Sequence, residues 1–161
     1  MLQTYSSIKR SRQLAVLSRA QHDTLLFVWK IRQGIAYGIV AQRIGSYCEW
    51  YWNNHLSQSF RNEEIALSKV LPVCDGLLNV LFEDHEAIRS QMDRVLDFPT
   101  YHSIERLAQI VYYHESFKEK MLFPHMEDVA TTESLARAAS LLQGSKKTTP
   151  TWCDEFWVKL K

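Results

Sequence analysis

The stretch DGLLNVLFEDHEAIRSQMDRVL, Asp75 through Leu96, decides the fold. Leu78, Leu81, Ile88, Met92 and Val95 recur at alternating three- and four-residue steps, the period of a helix with one buried stripe. His85 falls in register with them, so the pattern predicts a helix over about Asp75–Leu96 with an inward histidine. A polar group in such a seam needs a partner, because burying it unpaired costs free energy.

Working outward, the same period continues on both sides. One helix is expected from about Ser11 to Gln33, ended by Gly34 and Gly38. A second is expected from about Val40 to Leu71, ended before Pro72, and a fourth from about Ser103 to Asp128. Pro124 removes a backbone donor inside that last pattern and predicts a kink or break near Leu122. A shorter helix from about Thr132 to Leu142 follows. The segment Gly144–Pro150 then reads as a loop, with Trp152, Phe156 and Trp157 folded back as an aromatic clasp. No strand pattern, internal repeat or low-complexity tract stands out. The expected architecture is all-α, an up-down-up-down four-helix bundle with a short C-terminal helix and aromatic tail. It forms one domain over 1–161, with its core at about 11–128 and an extension at about 129–161.

A chain of 161 residues can bury a core without staples. Nineteen Lys and Arg against eighteen Asp and Glu leave a formal charge of +1, which gives no footprint for nucleic acid or an anionic surface. Cys48, Cys74 and Cys153 are odd in number and form no CxxC pair, so neither a disulfide framework nor a cysteine zinc site is indicated. No apolar run reaches the roughly 18 residues of a membrane span. The expectation is a soluble, cytoplasmic protein. Lys9, Arg10, Arg12 and Arg19 read as a basic helix start rather than an organelle transit peptide.

Polar residues interrupt the other seams too. In the second helix Trp52, Leu56, Ser59, Glu63, Ala66 and Val70 place Glu63 at the centre of the stripe. In the fourth, Leu107, Ile110, His114, Phe117 and Met121 place His114 there, with Lys118 and Glu119 flanking one turn later. The first helix has two phasings: Leu14, Leu17, Gln21, Leu25, Val28 buries Gln21, and Ala15, Ser18, His22, Leu25, Trp29 buries His22. His22 is preferred as the functional residue. Histidines and carboxylates converging from several helices are what an iron or manganese site uses. Gly-rich phosphate loops, a Gly-x-Ser-x-Gly elbow and an HExxH motif are all missing from the sequence, so those chemistries have weaker support, and catalysis beyond incidental redox chemistry is not indicated.

These residues resemble the hemerythrin-like family, the HHE cation-binding domain, over nearly the whole chain. Leu17 through His22, leading to Leu25-Leu26-Phe27 and Trp29 through Gly34, resembles the opening helix of its bacterial members. Ser59-Phe60-Arg61-Asn62-Glu63-Glu64 resembles their His-Phe-x-x-Glu-Glu motif, and Asp84 through Arg89 their third-helix histidine motif. His114 through Pro124 is similar to a fourth-helix motif His-x-x-x-Glu-Glu ending in Leu-Phe-Pro. The resemblance implies a four-helix bundle around two non-heme irons. It also implies a small diatomic ligand, O2 or NO, or peroxide, that is bound or sensed.

Three positions depart from that pattern. Ser59 stands where a histidine ligand is expected, Lys118 where a bridging glutamate is expected, and Gln21 replaces one of two adjacent histidines. The surviving metal ligands are His22, Glu63, His85, His114 and Glu119. Glu119 follows His114 at a spacing that resembles the His-x4-Asp arrangement of the oxygen-carrying hemerythrins. His55, one turn before Ser59, ranks second. The reduced set implies one or two non-heme irons, with a mononuclear site preferred to an intact di-iron one. The alternative is a metal-free scaffold or partner-binding module in which Lys118 pairs with Glu63. The Trp50-Tyr51-Trp52 cluster could support a homo-oligomer, although aromatics on a helix more often fill a core.

Overall fold

The computed structural model describes residues 15–143 and 150–160, and every described element is helical. Three expectations lie outside the described residues: the start of the first helix near Ser11, the basic positions Lys9, Arg10 and Arg12, and the loop over 144–149.

Helix α1 spans Ala15–Ala36. It runs through Gly34 and stops at Gly38, whose φ of +68° is the left-handed conformation a helix end favours. The Gly38 N–H donates to the Ile35 carbonyl and the Ile39 N–H to the Gly34 carbonyl, both at 3.0 Å, closing a Schellman motif. Gly34 therefore ends nothing. A Cβ there would meet Phe156 at 2.7 Å and Ile44 at 3.0 Å, so its bareness admits the C-terminal segment.

The second rod is continuous. Helix α2 (Ala41–Tyr51), a π-helical turn (Trp52–Leu56) and α3 (Ser57–Val70) keep right-handed helical dihedrals throughout. Leu71 is extended because Pro72 follows it. Helix α4 (Gly76–Asp97) starts on Asp75, whose side chain accepts from the Leu77 and Leu78 N–H groups. It ends before Pro99.

Helix α5 spans Tyr101–Phe117 and begins two residues earlier than expected, because Thr100 and Ser103 form a capping box. A second π turn, Lys118–Leu122, joins it to α6 (Phe123–Val129). The Phe123 N–H donates to the Lys118 carbonyl five residues back. The expected break at Pro124 is thus a π turn, which widens the ladder just ahead of the residue that lacks a donor. Helix α7 spans Thr132–Gln143. Five helical rods result among the described residues, with α1 and α4 packed on α5 and α7 packed on α3. No described helix is long and apolar enough to cross a membrane.

The apolar interior is in two parts. One holds Phe27, Ile31, Tyr47, Leu56, Phe60, Ile88, Met92 and Val111. The other holds Ala66, Leu67, Leu78, Leu81, Leu122, Phe123 and Met126. Tyr47 joins the C-terminal aromatics to the first part, with ring centroids 5.6 Å from Trp152, 5.5 Å from Phe156 and 5.2 Å from Trp157.

The stripe expected on α4 is buried as read. That on α5 is turned: Leu107, Ala108, Val111, His114, Glu115 and Lys118 face inward, while Ile110 and Phe117 are half-buried and Met121 is exposed. On α3 the stripe is Leu56, Phe60, Glu63, Ala66 and Leu67, with Trp52, Ser59 and Val70 half-buried. The inward face of α1 carries Gln21, Thr24, Phe27, Val28 and Ile31, and leaves His22 and Trp29 exposed.

Candidate metal centre

Between the two apolar parts lies one polar layer, reached the same way on three rods. Glu63 sits between Phe60 and Ala66 on α3, and His85 between Leu81 and Ile88 on α4. His114 and Lys118 sit between Val111 and Leu122 along α5 and its π turn. His85 is fully buried, His114 is 1 % exposed, and Glu63 and Lys118 are each 4 % exposed.

Glu63, His85 and His114 each bring a donor atom to one place, all within 4.8 Å of one another. The far side of each ring is held by a carboxylate. His85 Nδ1 is 2.7 Å from Glu64 Oε1, which Arg89 also reaches at 2.8 Å. His114 Nδ1 is 2.9 Å from Asp84 Oδ2. The pattern is crossed: Glu64, beside Glu63 on α3, anchors His85 on α4, and Asp84, beside His85, anchors His114 on α5. Ionised carboxylates only accept, so each Nδ1 donates and a neutral ring turns a bare Nε2 inward. Among the described residues, His85 Nε2, His114 Nε2, Glu63 Oε2 and Glu115 Oε2 are buried without a hydrogen-bond partner. His85 Nε2 and Glu63 Oε2 are only 3.4 Å apart. Two acceptors that close call for a proton or a cation between them.

Phe60 stacks on His85 at 3.8 Å between centroids with a 6° interplanar angle, and meets His114 edge-on at 5.7 Å. The packing fixes both ring planes.

Lys118 occupies the other side of the carboxylates. Its Nζ is 2.9 Å from Glu63 Oε1 and 3.1 Å from Glu115 Oε1. Burial alone would strip its proton, but the two carboxylates outweigh that and raise its pKa. Burial likewise works against the Glu63 charge, yet the Lys118 ammonium and His85 hold its carboxyl well below the usual carboxylate range. Burial pushes Glu115 up to about 7, with Lys118 opposing. Burial also pushes His114 down to about 4 against the pull of Asp84, so its ring is neutral at pH 7. The centre thus offers the imidazoles of His85 and His114, the latter neutral, and an ionised carboxylate beside a fixed ammonium.

The donor set fits a divalent transition metal, which takes imidazole nitrogen and carboxylate oxygen together. Rings anchored through Nδ1 by carboxylates are the arrangement that orients a metal-binding histidine.

Of the residues expected at the site, the structure brings Glu63, His85 and His114 together. His22 is exposed on α1, and its neighbour Gln21 turns inward instead, donating to the Glu115 carbonyl at 2.6 Å. Glu119 is half-buried in the π turn and outside the trio. His55 is half-buried against Trp50 and Tyr51, and burial lowers its pKa. Glu115 was not expected there. Its only signal in the sequence is its place three residues before Lys118. Compared with known protein families, curated proteins and solved structures, the chain matches none of them.

Proposed function

We propose that the chain is a hemerythrin-like metal protein. In this reading α1, the α2–α3 rod, α4 and the α5–α6 rod form an up-down-up-down four-helix bundle, and Glu63, His85 and His114 hold one non-heme iron. The observation that carries it is the convergence of a donor atom each from Glu63, His85 and His114, with both rings anchored from behind through Nδ1 and their buried Nε2 atoms making no hydrogen bond among the described residues. A bound metal would supply a Lewis-acid and redox centre with room for a small ligand such as O2 or NO. The protein residues hold the ring tautomers, exclude bulk water and set the charge. Lys118 keeps a positive charge on the carboxylate oxygens facing away from the trio, which favours one ion over two.

The test is iron per chain by elemental analysis after anaerobic loading and desalting, on protein purified without an affinity metal. One iron per chain, lost in His85→Ala and in His114→Ala, supports the reading, and none in the wild type overturns it. A second reading has its own observation. The contacts of Lys118 with Glu63 and Glu115 suit a metal-free scaffold in which an ammonium stands for the cation. No iron after loading, with a normal melt, favours that scaffold.

A further inference from the structure

The trio is buried, so an ion must have a way in. On the α3 side the stacked Phe60 ring covers His85. On the α1 side Gln21 is bonded to the Glu115 backbone. Where α3 meets α4, the Arg89 guanidinium lies on Glu64, placing a positive charge across any cation's path.

The α4–α5 face differs. A groove of about 410 Å³ opens there between Val80, Ala87, Ile110 and Phe117, and its floor is Asp84 and His114. Asp84 is 35 % exposed in its side chain, and among the described residues its ion pairing is to His114 alone. Arg106, at the rim, is drawn along α5 by a 2.8 Å hydrogen bond to Gln109. The Nδ1 of His114 faces Asp84 in the groove, which leaves its buried Nε2, without a hydrogen bond among the described residues, as the atom free for the trio. A single imidazole ring therefore separates the groove from the centre.

We infer that this groove is the port through which the buried centre takes up its divalent ion, with Asp84 as the outer carboxylate that first meets it. The inference rests on the proposed metal centre. A hydrated dication is drawn to a carboxylate set in a low-dielectric cleft, and the contact with Asp84 places it beside the one ring it must pass. Apart from Arg106 and Tyr113 the walls are apolar, and Asp84 is the sole anionic lining residue, so nothing at the rim holds the ion back from it.

Cobalt(II) absorbance followed by stopped flow tests the inference without any activity assay. Ala87 is exposed on α4, and Ala87→Trp fills the groove from its outer wall without touching the trio. The expected result is the same cobalt per chain at equilibrium with uptake slowed about tenfold, or about 1.4 kcal/mol on the uptake barrier. Ile110→Ala, which widens the groove, is expected to speed uptake, and it keeps the test decisive if the Trp variant folds poorly. Wild-type rates in both variants overturn the port and leave the centre standing. No cobalt uptake by the wild type overturns the centre and the port together.

Discussion

Lys118 Nζ and Glu63 Oε1 lie 2.9 Å apart with both side chains about 5 % exposed, so an ammonium and a carboxylate neutralise each other in the middle of the helical core. Each makes the other tolerable. Without Glu63 and Glu115, burial would drive Lys118 to lose its proton, and without Lys118 two carboxylates would share one dry site.

Lys118→Met is therefore expected to destabilise the metal-free protein by about 3–5 kcal/mol, the usual cost of stranding one member of a buried pair. Denaturant melts measure it. The double variant Glu63→Gln with Lys118→Met is expected to regain most of that loss, because Glu63 no longer carries a charge and Glu115, already pushed up to about 7 by burial, loses the opposing pull of Lys118 and takes up a proton. If the metal reading holds, iron raises the melting temperature of Lys118→Met more than that of the wild type, since the ion supplies the missing positive charge.

Stability against pH separates two opposing groups. The folded-state pKa of His114, about 4 against an ordinary 6.5, is depressed, so the unfolded chain binds more protons between those values and stability falls as pH drops through that window. Glu115, about 7 against 4.5, is raised, so its contribution is fully present below 4.5 and is lost as pH rises through 7. The two largely cancel between pH 4.5 and 6.5. Glu63, held low, adds a loss only as pH falls below 4.5. The wild type is expected to fall only gently from pH 6.5 to 4.5, through His55, whose lowered pKa adds a loss there, and to drop more steeply below that. Glu115→Gln removes the opposing group, so stability then falls by about 2–3 kcal/mol across the same window, at about 1.4 kcal/mol per pKa unit. A flat profile in the variant contradicts the assignment.

How much of this could be read in the sequence differs from helix to helix. On α4 the apolar residues occupy one face only, so the stripe and the inward His85 follow from spacing alone. On α1 the two phasings differ by one residue, and what fixes the phase is the bond from Gln21 to a carbonyl 94 residues away, which leaves no local mark. On α5 the inward face carries Glu115 and Lys118, so its polar character disguised it, while Ile110 and Phe117 beside it line a groove. Pro124 announced a disturbance in the helix, but a π turn and a kink share that signal. Glu64 and Asp84 sit beside Glu63 and His85 in sequence, yet each serves a histidine on another helix, a relation that only the packing creates.

Those two anchoring carboxylates yield a third prediction. Glu64→Gln and Asp84→Asn each replace an acceptor-only group with one that can also donate, which loosens the tautomer of the ring it holds. Each is expected to lower metal affinity about 10- to 100-fold while the number of ions bound at saturation stays the same. Isothermal titration with cobalt(II) measures both quantities. A change in stoichiometry would instead make the residue a ligand.

The ammonium also makes a statement about nuclearity that can be reversed. Ser59 lies one turn before Glu63 on α3 and is half-buried, so a histidine there projects on the side of the helix that carries Glu63. Lys118→Glu removes the positive charge from Glu63 Oε1 and Glu115 Oε1 and sets a third carboxylate among them. Metal-free, the double variant Ser59→His with Lys118→Glu is expected to be less stable than the wild type, because like charges then crowd a buried site with nothing to offset them. Loaded anaerobically with iron, it is expected to bind two ions per chain where the wild type binds one, each held by histidine and carboxylate from facing helices. Lys118→Glu alone should bind the second ion weakly, losing it on desalting. One iron per chain in all three proteins would show that Lys118 does not stand in a cation's place, and that its pairing with Glu63 serves the fold alone.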